Sequence, residues 1–248
     1  MISKYFEYID NKFDPIKSFK LKDTLNPKIW NEEMEINEDV RESLLKIAND
    51  YIEHLDVGDI KIDDIILTGS NSNYNWSEYS DFDLHILFDF KQINEDVELV
   101  SKYLAAAGKL WNEQHDILIL GYEVELYAQN SSEKHISSGQ FSLLNNEWVK
   151  KPSKEDFTPD EDLIKRKAQS IMDRIDDAEI DFENHYSYRE LAEKVNKILK
   201  KIKENRQKGL NEEGEFSTEN LVFKLMRRNG YIKKLIDLKN KIYDKQFK

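Results

Sequence analysis

The 248-residue chain has no cysteine. That excludes a disulfide framework, thiolate metal ligands and cysteine nucleophiles. No apolar run approaches the roughly 18–20 residues that cross a bilayer, so no transmembrane helix and no membrane partner are expected. The opening stretch, MISKYFEYIDNKFD, lacks the apolar segment of a secretion signal. Internal repeats and low-complexity tracts are also missing. These absences lead to the expectation of a soluble, cytoplasmic protein. Charged residues make up 35% of the chain and apolar residues 39%, but 12 Phe, 12 Tyr and 4 Trp argue for a packed core rather than disorder.

The net charge of -12 is unevenly spread. Residues 160–248 hold 21 Lys+Arg against 18 Asp+Glu, so residues 1–159 carry a net of -15. Such an acidic front half is a poor general binder of nucleic acid, because phosphates need cations. It is a suitable host for divalent metals, which take carboxylate oxygens. The basic charge is concentrated at 191–208 and 221–248.

Periodicity divides the chain near residue 155. Pro15 and Pro27 break the first 36 residues into short pieces. Asn37 reads as a helix N-cap, followed by Val40, Leu44, Ile47, Ala48, Tyr51, Ile52 and Leu55 at helical spacing. A short strand, 65–67, stops at Gly69. A polar loop, NSNYNWSEYS, leads to a strand over 81–88 that alternates Phe82, Leu84, Ile86 and Phe88 with Asp81, Asp83 and His85. A helix over 94–113 turns Val97, Val100, Leu104, Ala107, Leu110 and Trp111 inward. Strands at 116–120 and 122–128 meet near Gly121, and a hairpin is centred on Asn145–Asn146. Beyond Pro152 only helices are expected, about three. Thr158 with Glu161 and Ser187 with Glu190 form capping boxes, and Ser217 caps the third helix after a loop holding Gly209 and Gly214. Gly230 weakens or kinks the last helix. The expected class is α+β, with residues 1–155 as a mixed core and 156–248 as a helical domain.

The chemistry concentrates in Thr68-Gly69-Ser70 and Ser80-Asp81-Phe82-Asp83. Two carboxylates two apart on a strand project from one face and repel each other unless a cation lies between them. A divalent metal resolves the conflict, and neighbouring positions allow a pair of metals about 3.5–4 Å apart, as phosphoryl displacement uses. Gly69-Ser70, directly after a strand, offers backbone N–H groups, a hydroxyl and close phosphate approach. A third acid is expected from the next strand. Glu125, flanked by Val124 and Leu126, is favoured, with Glu123 second; it would serve as a ligand or as general base on an attacking hydroxyl.

Gly69-Ser70, the ten-residue spacer, Asp81-Phe82-Asp83 and Val124-Glu125-Leu126 resemble the DNA polymerase beta-like nucleotidyltransferase superfamily. The longer strings TGSNSNYNWSEYSDFDLHI, WNEQHDI, YEVELYAQN and GQFSLLNNEW are similar to small predicted nucleotidyltransferases of tailed bacteriophages. The resemblance covers about residues 25–155. It implies a short mixed sheet flanked by helices, two Mg²⁺ ions (with Mn²⁺ as a substitute) and location in a host cytoplasm. It also implies transfer of a nucleoside monophosphate from a nucleoside triphosphate such as ATP, with pyrophosphate leaving. By the same resemblance Asp81 and Asp83 bind both metals, Glu125 the catalytic one, and Gly69 and Ser70 the triphosphate. Many members carry Arg or Gly shortly after the Gly-Ser; this chain has Asn71-Ser72-Asn73.

Other residues carry two readings. His85 is a substrate contact or a hydrogen-bonded strand residue. His115 and His135 read as structural or exposed. Tyr74, Trp76 and Tyr79 stack on a base or pin their loop. Ser80 reads as a turn residue beside the nucleotide rather than a nucleophile. Lys194, Lys197, Lys201, Lys208, Arg227, Arg228 and Lys234 form a solvated face or meet an anionic substrate, and at least one cation, Lys194 or Arg227 among them, is expected at the triphosphate. The acceptor is an RNA end, a protein side chain or a small molecule. The competing classes are a nucleotide-sequestering module without turnover and a host-interaction factor.

Overall fold

A computed structural model describes residues 14–134, 137–154, 156–184 and 187–247. His135, the N-terminal stretch through residue 13 and the boundary residue 155 lie outside them. The fold is α+β, with a mixed six-stranded sheet and six α-helices among the described residues. No helix among them is long and apolar enough to cross a membrane. The chain divides into two compact units, one of residues Leu21–Asp156 and one in which residues 14–20 join Phe157–Lys248.

In the sheet unit, α1 (Glu38–Leu55) starts where the Asn37 side chain accepts from Asp39 N at 2.9 Å. Two acids, Glu38 and Asp39, sit in its first turn, where the helix dipole favours them. It buries Val40, Leu44, Ala48, Tyr51 and Leu55, steps of three and four that keep one face inward. The strands are β1 (Asp64–Thr68), β2 (Phe82–Phe88), β3 (Leu118–Ile119), β4 (Tyr122–Asn130), β5 (Gln140–Ser142) and β6 (Glu147–Lys150), in the order β3-β4-β2-β1-β5-β6. All neighbours are antiparallel except β2 and β4, which α2 (Val97–Gln114) connects as a parallel pair. Phe82, Leu84, Ile86 and Phe88 are fully buried, and burial of such a side chain contributes about 1.5–3 kcal/mol.

In this unit one inward position changes, the strand before Gly121 is shorter than expected, and an unread stretch gains a place. Leu110 faces solvent, 50% exposed, and Gly108 takes the inward position, because a Cβ there would lie 2.9 Å from Tyr51 Oη. Leu120 and Gly121 both take positive φ, which makes the 118–123 segment a tight hairpin. Residues 25–36 gain a place: Trp30 stacks on Trp148 at 4.5 Å and meets Phe141 edge-on at 4.9 Å, with Leu25, Ile29 and Ile36 in the same core.

The helical unit holds α3 (Glu161–Glu183), α4 (Tyr188–Glu213), α5 (Thr218–Arg228) and α6 (Tyr231–Lys245), four helices rather than three. Gly230 at φ 75° breaks the last predicted helix in two, since a left-handed residue cannot continue it. The cap of α3 is Asp160, which accepts from Leu163 N at 2.9 Å; Thr158 and Pro159 lie ahead of the helix. Ser187 caps α4 by accepting from Glu190 N at 3.5 Å, and Ser217 caps α5 by accepting from Asn220 N at 3.4 Å. Residues 14–20 belong here and not with the sheet: Ile16 and Phe19 are buried in the helical core. The Arg228 guanidinium lies 4.8 Å from the Phe19 ring centroid and donates to Ser18 Oγ.

Gly209 is inside α4, not in a loop. Its Cβ, if present, would fall 2.6 Å from Ser217 Oγ and 3.0 Å from the Cβ of Ser217 and of Glu219. In an exposed helix, Gly→Ala stabilises by about 1 kcal/mol. Here Gly209→Ala is expected to destabilise instead, lowering the urea midpoint, because the crowding atoms are too close to the backbone to swing away.

Candidate metal centre

The parallel pairing of β2 with β4 sets Asp83 directly opposite Glu125. Asp81 immediately precedes β2, one strand step from Asp83 on the same face. One carboxylate oxygen from each of Asp81, Asp83 and Glu125 lies within 4.8 Å of the others, and all three side chains are half-buried. Three acids at this separation and depth suit a hard divalent cation, which takes oxygen ligands and offsets their repulsion. Glu123 shares the β4 face but is exposed and outside this cluster. His85 also stays outside it; its ring stacks on Tyr127 at 5.2 Å and 26°.

Tyr127 was absent from the sequence expectations. Its hydroxyl donates to Glu125 Oε2. Burial raises its pKa above the usual phenol range, and the Glu125 bond and the charges of Glu125, Asp83 and Asp81 add to the rise. The phenol therefore stays a donor at pH values where free tyrosine ionises, and the bond to Glu125 is lost only on more alkaline titration. The position was readable in principle, since Tyr127 follows Glu125 at strand period two.

The turn after β1 is fixed by close contact. Gly69 has φ 78°, and a Cβ on it would lie 2.0 Å from Asp83 Oδ2. Only glycine lets the turn lie against the carboxylate. Ser70 Oγ and Ser80 Oγ are hydrogen-bonded at 2.7 Å, and Ser80 Oγ accepts from Ser77 N at 2.9 Å. Ser80 is buried and closes the loop on itself. Its hydroxyl also reaches Ser70, on the turn beside Asp83.

Much of the polar loop is buried. Asn71 is completely buried and bridges three segments. Its Nδ2 donates to Asp81 O at 3.0 Å, its Oδ1 accepts from Asn26 Nδ2 at 3.1 Å, and its O accepts from Trp30 Nε1 at 2.7 Å. Polar groups hidden from water are tolerable when bonded in this way. The asparagine directly after Gly69-Ser70 thus holds the Asp81 backbone. Trp76 Nε1 donates to Thr24 O at 2.8 Å and Lys22 N to Tyr74 O at 2.7 Å, so Trp76 and Tyr74 tie the loop to residues 22–24. Tyr79 is 39% exposed.

Beside the acids, a cavity of about 480 Å³ lies between α2 and β4, with Glu125, Tyr127, Lys109 and Asn112 in its wall. Asn112 bonds both Leu126 N, at 3.0 Å, and Leu126 O, at 3.1 Å, sealing the β4 edge beyond the short β3. His115 stacks on Trp111 at 4.0 Å, a structural contact.

The basic residues singled out by sequence belong to the helical unit. Lys194 pairs with Asp181 at 2.7 Å, and Lys234 with Asp176 at 2.8 Å and Glu179 at 2.6 Å. Lys208 reaches Glu212 at 3.9 Å, and Arg228 is bound up with Ser18 and Pro15. Arg227 is exposed, and its charge adds to burial in lowering the Arg206 pKa. Compared with models of protein families, with curated proteins and with solved structures, the chain matches none.

Two substitutions test this geometry. Tyr127→Phe removes the donor that orients Glu125 and is expected to weaken Mn²⁺ binding about 10–100-fold in calorimetric titration. Gly69→Ala forces the Asp83 carboxylate aside and is expected to abolish Mn²⁺ binding, with the far-UV circular dichroism of the folded chain retained.

Proposed function

We propose that the chain is a divalent-metal-dependent nucleotidyltransferase, with a nucleotidyltransferase-type sheet at its core. The observation that carries this reading is the convergence of Asp81, Asp83 and Glu125 beside the Gly69-Ser70 turn. Carboxylates crowded together without a role would be costly, and the Gly69-Ser70 turn brings backbone N–H groups and a hydroxyl, donors a phosphate takes, next to them. Mg²⁺, or Mn²⁺ in its place, would be held by the three carboxylates. When bound, such ions neutralise charge on the attacking and leaving oxygens of a phosphoryl transfer.

The residues then divide the work. The Gly69-Ser70 backbone and the Ser70 hydroxyl receive the triphosphate. Asp81 and Asp83 fix the cation side of the site, and Asn71 holds the Asp81 backbone. An acceptor hydroxyl oxygen attacks the α-phosphorus in line, the bond from that phosphorus to the bridging oxygen breaks, and pyrophosphate leaves. Glu125, with one oxygen engaged by Tyr127, is positioned to take the acceptor's proton. The cavity along β4 gives an acceptor a route to Glu125. An RNA end, a protein side chain and a small-molecule alcohol are the acceptor classes to compare.

The test uses nucleoside triphosphates labelled at the α-phosphate, with Mg²⁺ and each acceptor class, and measures pyrophosphate and transferred label. Asp81→Asn and Asp83→Asn are each expected to lower turnover by at least about 10³-fold, on the order of 4 kcal/mol in the barrier, with an unchanged melting temperature. Wild-type turnover in either variant refutes the assignment. Tight nucleotide binding with no transfer to any acceptor, the protein itself included, would mark a sequestering module instead.

A further inference from the structure

The helical unit contains a second cavity, of about 370 Å³, formed by α3, α4 and α5 alone. Its floor is core: Ile198, Ile202, Val222 and Met226 are each less than a tenth exposed. Its rim carries four cations, Arg166, Lys167, Arg174 and Lys201. Arg166 and Arg174 lie eight apart on α3, so helical periodicity puts them on one edge. Only one carboxylate, Glu219, is in the wall, and it is committed to Lys167 at 2.7 Å. Arg166, Arg174 and Lys201 have no ion pair among the described residues, so the wall of this apolar hollow carries three cations without a counter-charge.

We propose that this cavity is a binding site for a small organic anion, a molecule with a flat or aliphatic body and a phosphate-type head. The volume lies at the low end of small-molecule sites, about 300–1,000 Å³. An apolar floor gains from covering by a hydrocarbon body. Three cations left without counter-charge at one mouth gain from a single anionic group that reaches all of them. Phe223 lines the same cavity, and the Arg206 guanidinium covers its ring at 4.0 Å, which holds the ring in place as a wall. The site stands independently of the acidic cluster and of any transfer activity.

The test titrates the full chain with 1-naphthyl phosphate in EDTA, so that metal-dependent binding elsewhere does not contribute. Saturable one-site binding is expected in calorimetry. Inorganic phosphate alone and 1-naphthol alone should each bind at least about tenfold more weakly, since each offers only half of the interaction. The double variant Arg174→Glu/Lys201→Glu should weaken binding by at least the same factor. Ser170→Trp, which fills the mouth from an exposed position without touching the core, should do so too. Asp81→Asn should leave the affinity unchanged. Undetectable binding, equal affinity for naphthol or for phosphate, or full affinity in either pocket variant that retains its melting temperature overturns the proposal.

Discussion

The sheet unit is organised around one constraint, the parallel register that sets Asp83 against Glu125. Like charges do not approach one another unaided, so their separation is imposed by the ladder of backbone hydrogen bonds and by the apolar residues between them. Phe82, Leu84, Val124 and Leu126 point into the core on the opposite face. A slip of one residue in either strand would bury a carboxylate and expose a large apolar side chain. The hydrophobic pattern thus holds the acids together, and a divalent cation would convert that forced proximity into binding energy.

The same constraint explains the surrounding loop. Asp83 comes so close to the β1 turn that position 69 has no space for a side chain. Several of the following polar residues are buried, where hydrogen-bond partners offset the loss of water. Asn71 meets this demand through Asn26, Trp30 and Asp81, joining the N-terminal segment to the start of β2. Trp30 in turn packs on Trp148 and Phe141, so the rigidity of the site reaches β5 and β6 at the far side of the sheet.

The helical unit shows a different use of charge. Some of its basic residues pair with local acids on adjacent turns or helices, as Lys194 does with Asp181 and Lys208 with Glu212, and pairs near the surface are individually worth little, about 0–1 kcal/mol. What sets the cations around the α3–α5 cavity apart is the apolar floor they surround. The α4–α5 contact is set by steric fit, with Gly209 giving Ser217 room to cap α5.

The amino-acid sequence alone determined what depends on neighbours in the chain. Alternation fixed the buried face of β2, Asn37 and Ser187 marked helix starts, and the Asp-x-Asp step put two carboxylates on one face. It favoured Glu125 over Glu123, but core residues flank both, so the choice between them was decided by the register that sets Glu125 opposite Asp83. The tertiary structure alone decided what depends on chain segments far apart. It made Asn71 the centre of a buried network and moved residues 14–20 into the helical core. Neither leaves a periodic trace, because each is set by close packing and hydrogen-bond satisfaction between segments whose distance in sequence carries no record of their contact.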